Sequence, residues 1–189
     1  PAELKPPTSL AQRNSGLLLT AIEIYGFKSF AQKVIIPFGP GITAIVGPNG
    51  CGKSNVIEAI RWGMGEQRAS AFRSHRMEEV IFAGTRNRKQ LGMADVTISI
   101  DNAARALPIE FNEVNITRRL FRSGDSDYLL NKVPCRLLDI QNLLMDTGLG
   151  PGAYSVMEQG MVDEIISEKT DNRRRILEEA AGVTKYKVR

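Results

Sequence analysis

Near the N-terminal end of the chain lies a stretch with the residue types and spacing of a phosphate-binding loop. Gly47, Gly52, Lys53 and Ser54 fit the pattern G-x-x-x-x-G-K-[ST] in full. Glycines let backbone N–H groups turn inward without a Cβ clash, and these groups attract phosphate oxygens together with the N-terminus of the next helix. Lys53 would reach the β- and γ-phosphates, and the Ser54 hydroxyl would bind Mg²⁺.

The segments on either side of this loop have the patterns that such a loop requires. "GITAIVG" is a continuous apolar run bounded by glycines, which predicts a strand buried on both faces, as in a parallel sheet. After the loop, Val56, Ile57, Ile60 and Met64 recur at helical spacing and predict a helix. This strand–loop–helix order favours a true phosphate site over a chance match in a glycine turn.

Hydrolysis by loops of this type usually also needs an acidic strand, in which an Asp after apolar residues holds Mg²⁺. "NLLMD" ends in Asp146, but its leucines belong to a helical stripe and only three apolar residues precede the Asp. "TISID" ends in Asp101, but its alternation predicts a half-exposed strand. We reject both and predict that the acidic strand is absent from this chain.

Composition and charge exclude several other classes of protein. The 189 residues, 42% hydrophobic and 24% charged, predict one soluble globular domain, and no apolar run reaches the roughly 18 residues of a membrane span. The net charge of +4 is compatible with a nucleic-acid partner without requiring one. Cys51, Cys135 and the single His75 have no metal-type spacing, and reduced cytosolic thiols are expected.

The remaining segments predict an α/β fold, with a mixed sheet around the loop helix and an antiparallel segment on one side. "LLLTAIEIYGF", "KVIIPF", "DVTISID", "LPIEF", "VNITRRLFR" and "DYLLNKVP" read as strands. Gly124-Asp125 and Asn131-Lys132 read as turns, and "CRLLDIQNLLMD" as an amphipathic helix. Residues 1–16 are predicted to be a disordered leader or an expression remnant, and the charged segment from Asp171 to be helical.

Three long stretches, in the same order, resemble one family. "IYGFKSFAQKVIIPFGPGITAIVGPNGCGKSNVIEAIRWGMGEQ", "YLLNKVPCRLLDIQNLLMDTGLGPGAYSVMEQGMVDEII" and "RRRILEEAAGVTKYKVR" look like the N-terminal part of a structural maintenance of chromosomes (SMC) protein, of prokaryotic type. The resemblance implies the N-terminal lobe of a P-loop NTPase of the ATP-binding-cassette type over residues 17–170, followed by the start of a coiled-coil exit helix over residues 171–189. It also implies ATP and Mg²⁺ as cofactors.

In this family the C-terminal part of the same polypeptide supplies the signature motif, the acidic Mg²⁺ strand and the catalytic glutamate. The implied partners are therefore that C-terminal half, a second head upon ATP binding, DNA without sequence preference and an accessory kleisin-type subunit, with no membrane. The implied function is ATP-driven head engagement and hydrolysis that power DNA entrapment, chromosome condensation and segregation, in the cytoplasm at the nucleoid. The fragment alone is expected to bind ATP weakly and to hydrolyse it hardly at all.

The resemblance also assigns site residues. Lys53 and Gln159 are the catalytic candidates, Ser54 and Gln159 the Mg²⁺ candidates, and Arg73 a residue regulated by ATP or in contact with DNA. The predicted ATP-binding residues are Lys28, Ser29, Pro48, Asn49, Gly50, Cys51, Gly52, Lys53, Ser54 and Asn55. Cys51 departs from the family, which more often has Ser at that position.

The same residues have other interpretations. Lys28 and Ser29 could be turn residues, and Gln159 could be a surface glutamine. Arg73 could be part of a solvated basic face. The cations of residues 61–90 could equally contact DNA phosphates. The alternative functions are an SMC-like DNA-repair ATPase head, an ABC transporter ATPase subunit, and an interaction module whose loop no longer binds nucleotide.

Overall fold

A six-stranded antiparallel sheet is the framework of the part of the chain that the structure describes. The computed structural model describes residues 18–145 and 147. The sheet order is β2-β1-β3-β4-β5-β6, with every pairing antiparallel. The strands are β1 (Leu18–Tyr25), β2 (Val34–Pro37), β3 (Met93–Asp101), β4 (Glu113–Phe121), β5 (Ser126–Leu130) and β6 (Val133–Cys135). The two predicted turns lie between β4 and β5 and between β5 and β6.

One face of this sheet carries the core, because the apolar residues of its central strands alternate. In β3, Ala94, Val96, Ile98 and Ile100 are buried, while the residues between them are half-exposed. Helix α1 (Lys53–Gly63) packs on this face. A Cβ on Gly63 would lie 2.8 Å from the Ile98 side chain, so this glycine allows the helix to approach the sheet closely.

The predicted amphipathic helix within "CRLLDIQNLLMD" is also confirmed. Helix α2 spans Leu137–Leu144 and buries Ile140, Leu143 and Leu144. Two 3₁₀ helices, Ala69–Phe72 and Met77–Val80, follow α1 before the chain enters β3. Of the helices that the structure describes, none combines the length and hydropathy needed to cross a bilayer.

Two predicted strands are wrong. Residues 107–111 form a loop, because the Asn102 side-chain amide donates to the carbonyls of Leu107, Ile109 and Phe111. Residues 42–47 are not a strand either, and Ile42 and Val46 are exposed, because none of the six described strands pairs with them. The expected mixed sheet is correspondingly antiparallel over the described residues.

Several sequence predictions concern residues that the structure does not describe. The leader at residues 1–16, the exit helix at 171–189 and Gln159 all lie there, as does Asp146. Asp101, the other rejected acidic candidate, ends β3 and is half-exposed, as its alternating pattern predicts. Its Oδ1 accepts a hydrogen bond from the Ala103 N–H at 2.8 Å.

Candidate phosphate-binding site

The phosphate-binding loop leads directly into the N-terminus of α1. Gly50 and Gly52 have φ angles of +82° and +96°, a region that other residues rarely adopt. Gly52 is the cap residue of α1, and the first turn of the helix contains no acidic residue. The backbone N–H groups at the start of α1 and the positive end of the helix dipole combine at this point, and both favour an anion.

Lys53 is folded back over the loop. Its Nζ donates to the carbonyl oxygens of Gly47 at 2.7 Å and Pro48 at 2.8 Å. The ammonium thus lies inside the curve of the loop, next to the backbone that would hold phosphate. Ser54 is exposed one residue further along the helix, where its hydroxyl is accessible to a cation.

A second segment packs against the loop from outside, the turn at residues 26–30. The Asn55 side-chain amide donates to Ser29 Oγ at 2.8 Å. A Cβ on Gly52 would lie 2.8 Å from the same oxygen. Ser29 therefore contacts the loop directly, and its hydroxyl occupies the space that a side chain at position 52 would need.

Lys28 and Arg73, both predicted from the resemblance, meet at one carboxylate. The Lys28 ammonium pairs with Glu58 Oε2 and the Arg73 guanidinium with Glu58 Oε1. Lys28 Nζ also donates to the Phe72 carbonyl at 2.6 Å. The residue that joins them, Glu58, was not among the sequence candidates. Its signal was a glutamate set among residues that α1 buries: Val56, Ala59, Ile60 and Trp62.

Beyond the other end of α1, a different set of contacts holds the helix. Arg118 of β4 is buried and donates from Nη1 to the carbonyls of Trp62 at 2.9 Å and Glu66 at 2.7 Å. Its guanidinium lies over the Trp62 ring, 4.5 Å from the centroid, and faces Tyr128. Burial lowers the pKa of Arg118, and Tyr128 and Glu66 partly offset this shift.

The cation-rich segment is only partly available to an external partner. Arg68, Arg73 and Arg76 are exposed, yet each pairs with a glutamate, namely Glu66, Glu58 and Glu78. The other exposed cations of this segment are Arg86, Arg88 and Lys89. A DNA backbone would therefore meet a surface on which several of the arginines are already neutralised.

The hydrogen-bond donors and the hydroxyl of the loop are chemically suited to a nucleoside triphosphate with Mg²⁺. It offers the backbone N–H groups at the N-terminus of α1, one ammonium and one hydroxyl, with Pro48, Asn49 and Cys51 exposed along it. No group of three His, Cys, Asp or Glu among the described residues could hold a metal ion. The exposed Ser54 hydroxyl, next to the place where phosphate would bind, suits the preference of Mg²⁺ for phosphate and water ligands with few protein ligands.

Comparison with known proteins identifies the family. The RecF/RecN/SMC N terminal domain profile matches residues 18–162. The chain belongs to this family. It is 53% identical over 173 residues to the chromosome partition protein Smc of Bacillus subtilis, covering 92% of this chain and 15% of that protein. It is 57% identical over 169 residues to the Smc of Lactiplantibacillus plantarum, covering 89% of this chain and 14% of that protein.

Solved SMC heads share the fold. A structure of an Smc head bound to the C-winged helix domain of ScpA has a TM-score of 0.83 and 37% identity, covering 88% of this chain and 52% of that one. A structure of an SMC ATPase, studied for ATP-driven dimerization and DNA-stimulated activation, has a TM-score of 0.78 and 36% identity, covering 86% and 98%. The recombination mediator RecF is similar in fold alone, with a TM-score of 0.59 and 22% identity over 89% of this chain and 39% of that one.

These findings confirm the resemblance to SMC heads and favour it over the repair-type alternative. The chain spans about 15% of the length of the curated relatives that it matches.

Proposed function

We propose that this chain is the ATP-binding N-terminal part of an SMC head that acts in chromosome partition. The observation that carries the proposal is the loop at residues 47–54, whose Lys53 ammonium lies within the loop curve at the N-terminus of α1. Membership of a family that includes SMC ATPases supports ATP as the nucleotide. Lys53 and Ser54 would hold the phosphates and Mg²⁺. Gln159 would act near Mg²⁺ and the attacking water, as the resemblance implies.

Calorimetry of the whole chain with ATP and Mg²⁺ tests this proposal. We expect measurable but weak binding, and a loss of about a hundredfold in affinity for Lys53→Ala, because a charge-assisted contact to phosphate is removed. Lys33→Ala is the matched control. Lys33 pairs with Glu23 of β1, and it lies on the β2 side of that strand, whereas β3, against which α1 packs, lies on the other side. Absence of heat at millimolar nucleotide would instead support an interaction module.

The second part of the proposal is that the site is composite. Residues 42–46 support it, because an apolar segment next to the loop is exposed and has no strand partner among the described residues. An unpaired backbone flanked by exposed Ile42 and Val46 suits a strand contributed by another segment. We propose that the C-terminal half of the head supplies this strand together with the acidic Mg²⁺ ligand and the catalytic glutamate.

Reconstitution tests the composite site. Adding the C-terminal head segment of the parent protein should restore ATP turnover, while the chain alone should hydrolyse ATP hardly at all. Ile42→Asp should weaken association with that segment, whereas Ile35→Asp, an equivalent change at an exposed isoleucine of the edge strand β2, should not. Brisk turnover by the isolated chain that disappears in Lys53→Ala would contradict this part of the proposal.

The remaining partners extend the same proposal. ATP would join two heads into a dimer, and hydrolysis would separate them. The similar SMC ATPase structure that concerns ATP-driven dimerization supports this step. A kleisin-type subunit is supported by the relative bound to ScpA. DNA phosphates would contact exposed cations such as Arg86, Arg88 and Lys89 independently of the base sequence. The protein would act in the cytoplasm, at the nucleoid. Binding to unrelated duplexes should then be equal and should fall steeply with salt.

A further inference from the structure

Glu58 is a buried carboxylate that receives two cations from separate parts of the chain. Its side chain is 10% exposed and lies four residues after Ser54, about one helical turn from the phosphate-binding loop. Lys28 reaches it from the turn after β1, and Arg73 from the end of the 3₁₀ helix Ala69–Phe72. Two cations on a carboxylate satisfy a charge that could not remain buried alone.

The backbones of both cationic residues have an unusual conformation. Lys28 has φ +48° and Arg73 has φ +56°, in the left-handed region that residues with long side chains rarely occupy. Such a conformation persists when the surrounding contacts over-determine it. Both side chains share one contact at their ends, the carboxylate of Glu58.

The same carboxylate is connected to the phosphate-binding loop. Lys28 precedes Ser29, whose hydroxyl accepts from Asn55 and lies over Gly52. Lys28 Nζ also donates to the carbonyl of Phe72, directly before Arg73. Glu58 thus joins three segments: the helix that follows the loop, the turn that carries Ser29, and the segment that carries Arg73.

We propose that Glu58 is a positioning residue for ATP binding, which holds Lys28 and Arg73 beside the phosphate-binding loop. The inference rests on the proposed function, since it concerns the same nucleotide. A carboxylate one turn from the loop would by itself repel phosphate. With both cations in place the cluster carries a net positive charge, and Ser29 stays against the loop.

The sign of one substitution tests this role. Glu58→Gln removes a negative charge near the phosphates, so simple electrostatics predicts tighter ATP binding. Positioning predicts the reverse, because Lys28 and Arg73 lose their anchor. We expect the Kd for ATP·Mg²⁺ to rise about fivefold, the scale of one lost ion-pair contact. Binding that is unchanged or tighter would overturn the proposal.

Glu66→Gln is the matched control. Glu66 is a buried carboxylate just beyond the other end of α1, paired with Arg61 and Arg68. It has the same change in charge and a similar loss of a buried pair, but it lies away from the loop. Its Kd for ATP should equal that of the unmodified chain. Glu58→Asp, which keeps the charge, should recover most of the affinity lost in Glu58→Gln.

A double-mutant cycle separates positioning from general destabilisation. Arg73→Ala, at an exposed side chain, should also weaken ATP binding, and Glu58→Gln combined with Arg73→Ala should be little worse than Glu58→Gln alone, which already releases Arg73. Additive losses would overturn the proposal, as would wild-type affinity in Arg73→Ala, which stands as the test should Glu58→Gln fail to fold. If the unmodified chain binds no ATP, or if Lys53→Ala binds it normally, the proposed function itself fails.

Discussion

The N-terminal half of α1 and the region just past its C-terminal end hold buried glutamates with parallel surroundings. Glu58 pairs with Lys28 and Arg73, whose side chains are 16% and 68% exposed. Glu66 pairs with Arg61 and Arg68, whose side chains are 15% and 64% exposed. Each carboxylate thus has one inner cation and one outer arginine. The two differ in where these cations come from.

The partners of Glu66 are local in sequence, whereas those of Glu58 come from distant segments. Arg61 and Arg68 lie five residues before and two residues after Glu66, so this cluster closes the turn that follows α1. Lys28 and Arg73 are 30 and 15 residues from Glu58. A local cluster stabilises one turn, but a cluster that joins distant segments sets their relative positions. Only the second can influence how several segments surround a ligand.

The largest effect should come from removing Arg118, which fixes the C-terminal end of α1. Arg118→Ala removes the charge-assisted hydrogen bonds to the carbonyls of Trp62 and Glu66 and the contact with the Trp62 ring. We expect the free energy of unfolding to fall by about 3 kcal/mol, from the lost charge-assisted hydrogen bonds and the cation–π contact. Denaturant unfolding followed by circular dichroism measures it.

Arg119→Ala provides the control for this prediction. Arg119 is the next residue of β4, is 40% exposed and pairs with Asp95. Its loss should lower the free energy of unfolding by about 0.5 kcal/mol, typical of a solvent-accessible pair. Equal losses for the two arginines would mean that the contacts at the helix end do not dominate.

A smaller effect on stability, but a specific one on nucleotide, is expected at the other end of α1. Gly52→Ala forces a side chain into a positive φ and against Ser29 Oγ, which should lower stability by about 1–2 kcal/mol. Gly41→Ala has the same strain, at φ +91°, with open space around its Cβ. Gly52→Ala should therefore lose more stability than Gly41→Ala, and it alone should lose ATP binding in calorimetry.

The smallest effect concerns the response to acid. Burial raises the pKa of Glu66, but hydrogen bonds from Arg68 and the charges of Arg68 and Arg61 outweigh it, so its pKa lies below the ordinary 4.5. The stability from this carboxylate is complete above pH 4.5 and is lost as the pH falls below that value. Glu66→Gln should reduce the slope of unfolding free energy against pH there, by at most about 1.4 kcal/mol per pH unit.

Arg68→Ala gives an independent check, because it removes the side-chain hydrogen bonds and the charge that lower the pKa of Glu66 and keeps the bond from the backbone N–H. It should reduce the acid slope in the same direction as Glu66→Gln, and the double variant should add little. A full slope in Glu66→Gln would place the acid sensitivity in other carboxylates.

The elements that sequence patterns predicted correctly are those whose signal is local. The alternation in β3 and the helical stripes of α1 and α2 follow from each segment burying one face. Whether the two wrongly predicted segments form strands depends on contacts with other parts of the chain. Residues 107–111 have the composition of a strand, but the side chain of Asn102 donates to three of their carbonyls. Residues 42–47 have the apolar run of a buried strand, but no neighbouring strand among the described residues pairs with them.

The candidate site divides in the same way. The glycines, Lys53 and Ser54 were found from spacing alone, because the loop and helix that they form are contiguous in sequence. Lys28, Ser29 and Arg73 were suggested only by family resemblance, and Glu58 was missed. Contacts between segments tens of residues apart depend on how α1 lies on the sheet, which spacing does not encode.

The amino-acid sequence by itself determined the phosphate-binding loop, the helix that follows it and the family, because these depend on residue types at short, regular spacing. Only the tertiary structure decided that Glu58 gathers Lys28 and Arg73, that Arg118 holds the end of α1, and that residues 42–46 are exposed. Those arrangements depend on burial and on pairing between distant segments. A buried carboxylate must be paired, and the fold determines which cations lie near enough to pair with it.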